Sequence, residues 1–527
     1  MDTTLAQIQN ANVESLRYFW PEAMLILGAM GLFIADLVFK KPEKRVAPLA
    51  GLALLVLLAS AAATWMLGGA AGKSLFNGLL VHDSLALYFK WFFLGATALA
   101  IWIAAPSREI VPERMGEYFA LLLAMCLGLN LMACSTDLLM VYLSLELVSL
   151  ISYVLAGYRR ADRRAAEASL KYVIYGGVAS GVMVFGISYI YGLLGTTDLT
   201  VLAHNLARFN PATAALPLSR AGGQLALIVA VVFVLAGIGY KVASVPWHMW
   251  CPDVYEGAPT PFTAFLSVGP KAAGFAVALR FFFGAMATVG SDQPEQVARI
   301  VAGVPWPAIL GAVAAATMTL GNFAAINQTN LKRLLAYSSI AHAGYIMMGL
   351  ASGTNIGNQS VLIYLTIYLF MNVGAFLVVV AVAHGGRSES IFEYRGLGKR
   401  TPFAAIALAV FLFSLTGLPP LAGFVGKFYL FAAVIVKARA SYGIDATGWW
   451  GLALIGVLNS AISLYYYARV VRAMFLEKPA EETKVEIPLT YSGLLVGLVA
   501  AVLVFGVWWS PIADAAQNAV RAMYYGV

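Results

Sequence analysis

Long runs of apolar residues recur along the whole chain and constrain its fold more than any other feature. Residues 51–67, GLALLVLLASAAATWML, are apolar on every side, whereas a strand of a membrane barrel alternates apolar and polar residues over about ten positions. About fourteen such runs are long enough to cross a bilayer as a helix, which takes roughly 20 residues. The sequence therefore predicts an all-α polytopic membrane protein with about fourteen transmembrane helices. The predicted spans are residues 20–39, 47–67, 79–104, 115–133, 138–157, 167–194, 222–245, 263–287, 301–325, 334–351, 359–383, 402–437, 449–475 and 489–510.

Composition and charge distribution agree with a membrane location. The chain is 61% hydrophobic and 11% charged, against about 25% charged residues in an average soluble domain. Most Lys and Arg residues fall in the loops after odd-numbered spans, which include KKPEKR (40–45), YRRADRR (158–164) and GGRSESIFEYRGLGKR (385–400). By the positive-inside rule these loops are cytoplasmic, and both termini lie on the periplasmic side of a bacterial inner (plasma) membrane. The net charge of +8 then reflects topology, and a nucleic-acid partner is not expected because no loop is long enough to form a basic domain face.

The sequence carries no motif for a cofactor. Its three cysteines are not paired as CxxC, and neither GxGxxG nor GxxxxGK[ST] occurs. Nucleotide, flavin, iron–sulfur and metal sites are therefore not expected in this chain. Any energy that drives the function of this chain is therefore not supplied by a cofactor bound to it.

Ionisable residues inside the predicted spans are the strongest functional signal. A charged side chain at the centre of a bilayer costs about 3 kcal/mol or more, so a residue placed there must be paired, hydrated or neutral. Alternating lysines and acids bridged by water form an intramembrane proton relay, in which each group responds to the charge of its neighbours. These ionisable residues are Lys90, Lys171, Lys241, Lys271 and Lys427, with Glu146 as the acid that lies well inside a span.

Two purely structural interpretations of these charged residues compete with the relay. Long lysine side chains near a helix end can extend to the interface, which applies to Lys90 and Lys171. Glu146 and Lys241 can form a static ion pair that only holds helices together. His248 and His342 can carry protons near neutral pH, although a lone histidine among apolar neighbours is more often a packed, hydrogen-bonded residue.

Two spans are interrupted by proline beside a lysine. Residues 237–262, GIGYKVASVPWHMWCPDVYEGAPTPF, place Lys241 before the break, and residues 414–431, SLTGLPPLAGFVGKFYLF, place Lys427 after it. Interrupted helices at matching positions are typical of inverted structural repeats, with binding groups near the break. We therefore expect three helices in residues 1–113, a first repeat of five helices in 114–287, a second in 299–476 and a last helix in 488–527.

Several segments together carry a resemblance to a known family. The chain resembles the subunit N family of bacterial NADH-quinone oxidoreductase, respiratory complex I, which is related to the antiporter-like subunits L and M. The segments that carry the resemblance are LLMVYLSLELVSLISYVLAGY (138–158), EASLKYVIYGGVASGVMVFGISYIYGLLGTTDL (167–199), KVASVPWHMWCPDVYEGAPTPFTAFLSVGPKAAG (241–274), GNFAAINQTNLKRLLAYSSIAHAGY (321–345), residues 414–431 and NSAISLYYYARVVRAMF (459–475).

The resemblance implies a proton-translocating subunit in which two half-channels are joined by a buried Glu/Lys/His axis. It assigns the relay to Glu146, Lys171, Lys241, Lys271 and Lys427, and gives Lys90 no role. NADH, FMN, iron–sulfur clusters and quinone would be bound by partner subunits, and the direct partners would be other antiporter-like and small membrane subunits of the complex. This chain would then be a non-redox subunit of the translocase. Alternatives are a subunit of a multicomponent Na+/H+ antiporter or of a membrane-bound hydrogenase, and a static scaffold.

Overall fold

The chain folds almost entirely into helices. The computed structural model describes residues 11–38, 42–68, 72–208, 220–288, 299–300, 304–386, 388–479 and 484–524. Within these ranges, thirteen helical segments are long and apolar enough to cross a membrane, one of which is the interrupted segment Thr260–Ala285. The predicted span 402–437 is divided into the helices Pro402–Thr416 and Ala422–Ala440. The fold is that of an all-α polytopic membrane protein, as predicted. Both chain ends, residues 39–41, residue 387 and the start of the predicted ninth span at 301–303 lie outside the described residues.

The helices are α1 (Trp20–Val38), α2 (Pro42–Leu67), α3 (Ser84–Ala104), α4 (Met115–Cys134), α5 (Leu138–Ala156), α6 (Arg163–Leu194), α7 (Leu199–Arg208), α8 (Arg220–Val242), α9 (Cys251–Gly257), α10 (Thr260–Leu266), α11 (Gly269–Leu279), α12 (Trp306–Ile326), α13 (Leu331–Ala351), α14 (Asn355–His384), α15 (Leu397–Arg400), α16 (Pro402–Thr416), α17 (Ala422–Ala440), α18 (Gly443–Leu476), α19 (Leu489–Val507) and α20 (Ser510–Tyr524). Strand β1 (Lys73–Leu75) pairs antiparallel with β2 (Leu80–His82), and β3 (Ala287–Thr288) pairs antiparallel with β4 (Arg299–Ile300). A π-helical turn at Arg280–Ala285 extends α11.

Short polar side chains define where several spans begin. Asp83, Asp137 and Asp162 cap α3, α5 and α6, and each accepts a hydrogen bond from a backbone N–H of the first turn. Asn330 and Thr354 do the same for α13 and α14. These caps satisfy donors that have no partner within the helix, so the spans start at fixed positions.

Both predicted breaks are present. The helix α8 ends at Val242, and the next residue, Ala243, adopts φ +59° before the chain resumes as α9. The helix α16 ends at Thr416, Gly417 follows with φ +92°, and α17 begins five residues later. Because a left-handed residue cannot continue an α-helix, each span is left with backbone groups outside the regular ladder.

A third interruption was not expected from the sequence. Residues 263–287 were predicted as one continuous helix, but α10 ends at Leu266 and α11 starts at Gly269. Pro270 stands in the first turn of α11, where its ring would clash with the Leu266 carbonyl of a continuous helix. The crossing persists as two helical pieces.

Burial separates the central helices from the peripheral ones. The segment Thr260–Ala285 is wholly buried within the chain, and α13 and α14 are nearly so, whereas α1 and α19 are largely exposed. Charged residues on the central helices therefore face protein. The domain limits at 113, 287, 299 and 476 stay a prediction.

Candidate functional site

Lys241 lies directly before the break in α8. It is the penultimate residue of that helix and its side chain is buried. Its Nζ donates to Ser149 Oγ on α5 at 3.0 Å. Glu146 lies three residues earlier on α5 and is near enough to act on Lys241 electrostatically. Among the described residues these two make no direct ion pair, so Ser149 supplies the contact between α5 and α8.

Lys271 joins the first set of helices to α13. It is the third residue of α11 and is 2% exposed. Its Nζ donates to the Ser339 carbonyl oxygen at 2.6 Å and to Ser339 Oγ, and the Tyr255 hydroxyl lies 3.4 Å from the same Oγ. Gly274, one turn after Lys271, packs against the Lys241 side chain: a Cβ there would be 3.4 Å from Lys241 Cβ. Gly274 thus brings α11, the helix that carries Lys271, against Lys241.

His342 lies on α13, three residues after Ser339, and is hydrogen-bonded through both ring nitrogens. Nδ1 is 2.6 Å from the Tyr364 hydroxyl, and Nε2 is 3.3 Å from the Tyr467 hydroxyl. The Tyr467 hydroxyl also contacts Ser338. A neutral imidazole has one donor and one acceptor nitrogen, and hydroxyls serve as either partner. The cluster therefore tolerates a proton on either side of the ring.

Lys427 lies on α17 opposite the second break and is 4% exposed. Its Nζ donates to the Thr416 carbonyl at 2.8 Å and to Ser460 Oγ at 3.1 Å, and sits 4.6 Å from the centroid of the Tyr345 ring. Thr416 is the last residue of α16, and its carbonyl is free to accept because the helix stops there. The break supplies a partner for the lysine.

These contacts form what we call the buried row, defined by Lys241, Lys271, Ser339, His342, Tyr345 and Lys427. Ser339, His342 and Tyr345 recur every three residues and share one face of α13. That face connects Lys271 at one end with Lys427 at the other. The structure brings four of the predicted residues into the row, Lys241, Lys271, His342 and Lys427, with Glu146 beside it.

Lys171 lies outside the buried row. Its side chain is 38% exposed, and its Nζ is 2.7 Å from both Glu167 Oε1 and Asp253 Oδ2. Asp253 Oδ1 in turn accepts from Arg333 Nη1 at 2.6 Å. Partial burial alone would raise the pKa of the Asp253 carboxyl, but the donors on Lys171 and Arg333 outweigh it and lower that pKa below its ordinary value.

His248 also lies apart from the row. It stands in the segment between α8 and α9 and is buried, and its Nδ1 has no hydrogen-bond partner among the residues that the structure describes. The structure therefore places His248 in the break, apart from the buried row.

Lys90 does not extend to the interface. Its Nζ is 2.9 Å from Glu22 Oε1 on α1, and both side chains are almost fully buried. Glu22 gave no signal in the sequence because it stands in the first turn of the first span, where a charged residue usually reaches water. Lys332 was also not among the predicted site residues. Its side chain is fully buried, donates to the Ala258 carbonyl at 2.8 Å and lies 3.6 Å from Glu389.

The hydroxyl groups that form hydrogen bonds with the residues of the buried row were not predicted from the sequence either. Serine and tyrosine are common in membrane helices, so Ser149, Ser339 and Ser460 carry no signal as single residues. The spacing of Ser339, His342 and Tyr345 at intervals of three was the available clue. In the described part of the chain, no group of three or more His, Cys, Asp or Glu side chains is arranged to hold a metal ion.

Comparisons with known proteins place the chain in a family. A family model described as "NADH:quinone oxidoreductase/Mrp antiporter, TM" matches residues 135–463. NADH-quinone oxidoreductase subunit N from Anaeromyxobacter sp. (strain Fw109-5) is 58% identical over 507 residues, covering 95% of this chain and 96% of the relative. Subunit N 2 from Sorangium cellulosum is 45% identical over 97% of this chain and 98% of its own length.

Solved structures give the same result. A chain of respiratory complex I from Thermus thermophilus, solved with bound aureothin, aligns with a TM-score of 0.71 at 30% identity, covering 94% of this chain and 98% of that one. A chain of the Mrp complex from Dietzia sp. DQ12-45-1b aligns with a TM-score of 0.77 at 19% identity over 97% and 98% of the two chains, which shows a common fold. The chain belongs to the subunit N family of NADH-quinone oxidoreductase, the antiporter-like membrane subunits of respiratory complex I.

Proposed function

We propose that this chain translocates protons across the bacterial inner membrane, driven by quinone reduction in partner subunits of the complex. Protons pass through two half-channels that the buried row joins. NADH, FMN, iron–sulfur clusters and quinone are handled by those partners, and this chain takes part in no redox step. Its neighbours in the membrane are other antiporter-like and small membrane subunits.

One observation carries this proposal: among the described residues, the three lysines of the buried row have only neutral oxygen atoms as hydrogen-bond partners. Lys241 contacts a serine hydroxyl, Lys271 a hydroxyl and a carbonyl of Ser339, and Lys427 the Thr416 carbonyl and Ser460. A buried charge without a counter-ion is expensive, and like charges in a low-dielectric interior repel strongly. Simultaneous protonation of all three amines is therefore disfavoured, and a proton arriving at one amine promotes release from the next.

The row supplies the steps between these amines. Lys271 passes a proton to the Ser339 hydroxyl, and His342 relays it through its two tyrosine hydroxyls. The Tyr345 hydroxyl then leads through the Ser460 hydroxyl to Lys427. Glu146 acts as the charge switch on Lys241 from one helix away. His248, whose Nδ1 is unpartnered among the described residues, is a further proton carrier in the first break.

The same proposal includes the direction of proton transfer across the membrane. The basic loops after odd-numbered spans lie in the cytoplasm, which puts both termini on the periplasmic side. Protons then enter beside α8 and leave beside α17.

A second candidate is a subunit of a multicomponent Na+/H+ antiporter. The common fold with a chain of the Dietzia Mrp complex favours it. Purification of the native complex separates the two, because flavin and iron–sulfur subunits co-purify in the first case and are missing in the second.

The proposed function is tested with Lys241→Ala and Glu146→Ala in the assembled complex. Reconstituted into vesicles, each variant loses most proton pumping and coupled quinone reduction. Lys437→Ala is the matched control, because this lysine lies in the last turn of α17, where its Nζ is 5.6 Å from the centroid of the Trp449 ring, away from the row. An unchanged proton yield in the assembled Lys241→Ala variant would contradict the proposed relay.

A further inference from the structure

A basic pocket lies at one end of α4, α5 and α6, away from the buried row. It holds about 660 Å³ and is lined by residues 109–111, Arg114 and residues 158–163. The first of these segments precedes α4, and the last connects α5 with α6. The lining therefore includes most of YRRADRR, one of the loops that the positive-inside rule assigns to the cytoplasm.

Hydrogen bonds and ion pairs fix the inner wall of the pocket. The Tyr158 hydroxyl donates to the Arg114 carbonyl at 2.7 Å and so ties the two loops together. Arg159 Nη2 is 2.9 Å from Asp162 Oδ2, and Arg159 Nη1 is 3.9 Å from Glu109 Oε2. Both acids of the lining therefore lie beside the same arginine.

The other three arginines of the lining have no carboxylate of their own. Arg114, Arg160 and Arg163 form no ion pair among the residues that the structure describes, and the last two are exposed. Glu113 and Glu117, the other acids near the start of α4, are exposed and do not line the pocket. The pocket therefore carries an excess of positive charge, with four arginines against two acids in its lining.

Two helix N-termini add to this positive potential. The helix α4 begins at Met115, directly after Arg114, and α6 begins at Arg163. The first backbone N–H groups of a helix and its dipole both favour an anion at this end. Guanidinium groups match the oxygens of a phosphate with paired hydrogen bonds. The chemistry and the size of the pocket thus suit a ligand that carries a phosphate group.

Apolar surface continues from the pocket along the two adjoining spans. Leu150 and Val154 on α5 are 59% and 54% exposed, and Leu170 and Ile174 on α6 are 61% and 56% exposed. All four lie within about three turns of the helix ends that form the pocket. A soluble anion has no use for such a surface, whereas the acyl chains of a lipid pack against it.

We propose that this pocket binds the headgroup of an anionic phospholipid, such as phosphatidylglycerol, from the cytoplasmic leaflet. Arg114, Arg160 and Arg163 contact its phosphate, and its acyl chains lie along the exposed faces of α5 and α6. Basic pockets at the cytoplasmic ends of transmembrane helices recognise anionic headgroups by this chemistry. The inference concerns a bound lipid and does not rest on proton transfer through the buried row.

Photocrosslinking in the purified, delipidated complex tests where the lipid binds. The probe is phosphatidylglycerol with a diazirine next to its headgroup, added in detergent micelles, and mass spectrometry identifies the labelled peptides. Saturable labelling is expected on peptides that contain residues 109–114 and 158–163. Unlabelled phosphatidylglycerol is expected to compete, and zwitterionic phosphatidylcholine to compete much more weakly.

A pair of matched double variants tests whether the arginines hold the headgroup. Arg160→Gln/Arg163→Gln removes two exposed arginines of the pocket. The control, Lys399→Gln/Arg472→Gln, removes two exposed basic residues that lie towards the same membrane face and do not line the pocket. Each basic residue beside an anionic lipid changes affinity about five-fold. The half-saturating probe concentration should therefore rise about thirty-fold in the first variant and stay at the native value in the control.

Each contrary outcome overturns the lipid site. An unchanged half-saturating concentration in Arg160→Gln/Arg163→Gln, or an equal rise in the control, shows that these arginines hold no headgroup. Equal labelling by phosphatidylglycerol and phosphatidylcholine probes shows that charge does not select the lipid. Displacement of the probe by millimolar inorganic phosphate assigns the pocket to a soluble anion. Absence of labelling at the pocket in the assembled complex shows that a partner subunit covers it.

Discussion

Glu22→Gln tests what the buried ion pair between α1 and α3 contributes. Glu22 and Lys90 are 2.9 Å apart, with side chains 3% and 2% exposed. Removing one partner leaves an uncompensated buried charge, which costs about 3–5 kcal/mol. The double variant Glu22→Gln/Lys90→Met replaces the pair with neutral side chains of similar volume and is expected to be about as stable as the native chain.

Thiol labelling measures this cost where it arises. Cys134 is 4% exposed and lies close enough to Lys90 to interact with it electrostatically. A loss of 3–5 kcal/mol in local stability raises the population open to a thiol reagent by on the order of a hundred- to a thousand-fold or more, because each 1.4 kcal/mol is a factor of ten. Cys251, buried on α9, is the internal control and keeps its native rate.

The result that refutes this reasoning is equally specific. If Glu22→Gln labels at the native rate, the pair contributes nothing to holding α1 on α3. If the double variant labels as fast as the single one, the loss comes from the Glu22 position alone and not from an unpaired Lys90.

Two further predictions concern the buried row. Gly417→Ala is expected to lower the free energy of unfolding by about 1–2 kcal/mol, because Gly417 has φ +92° and a Cβ would lie 2.9 Å from Lys427 Cδ. Proton pumping should also fall several-fold. The control Gly443→Ala, at φ +59° with open space around the Cβ position, should change stability alone. Tyr467→Phe removes the hydroxyl that contacts His342 Nε2 at 3.3 Å, so pumping by the assembled complex should drop while NADH oxidation by the soluble partners is retained; native pumping in this variant argues against transfer through the histidine.

The helices and their breaks were predictable because their causes are local. Apolar runs of about 20 residues specify spans, and Pro246, Gly417 and Pro420 interrupt them whatever packs nearby. The depth of Lys271 and Lys427 followed from their position within those spans. The interruption between α10 and α11 has an equally local cause in Pro270, but a single proline in the first turn of a span is also compatible with an unbroken helix.

The contacts of the charged groups were not predictable, because they depend on how helices rotate and pack. Lys90 and Lys171 had the same sequence signature, yet one is buried against Glu22 and the other is half exposed against Asp253. Glu146 and Lys241 appeared as a possible direct pair, whereas Ser149 lies at the contact. Serine and tyrosine residues that lie far apart in the sequence but meet in the structure form no sequence pattern by which their contact could be predicted.

A density map of the whole complex with ordered waters tests the central claim most directly, since it shows which row residues are hydrated and joined. We predict a continuous chain of waters and side-chain oxygens from Lys241 through Lys271 and His342 to Lys427. A dry apolar gap that isolates His342 from either neighbouring lysine would contradict the account.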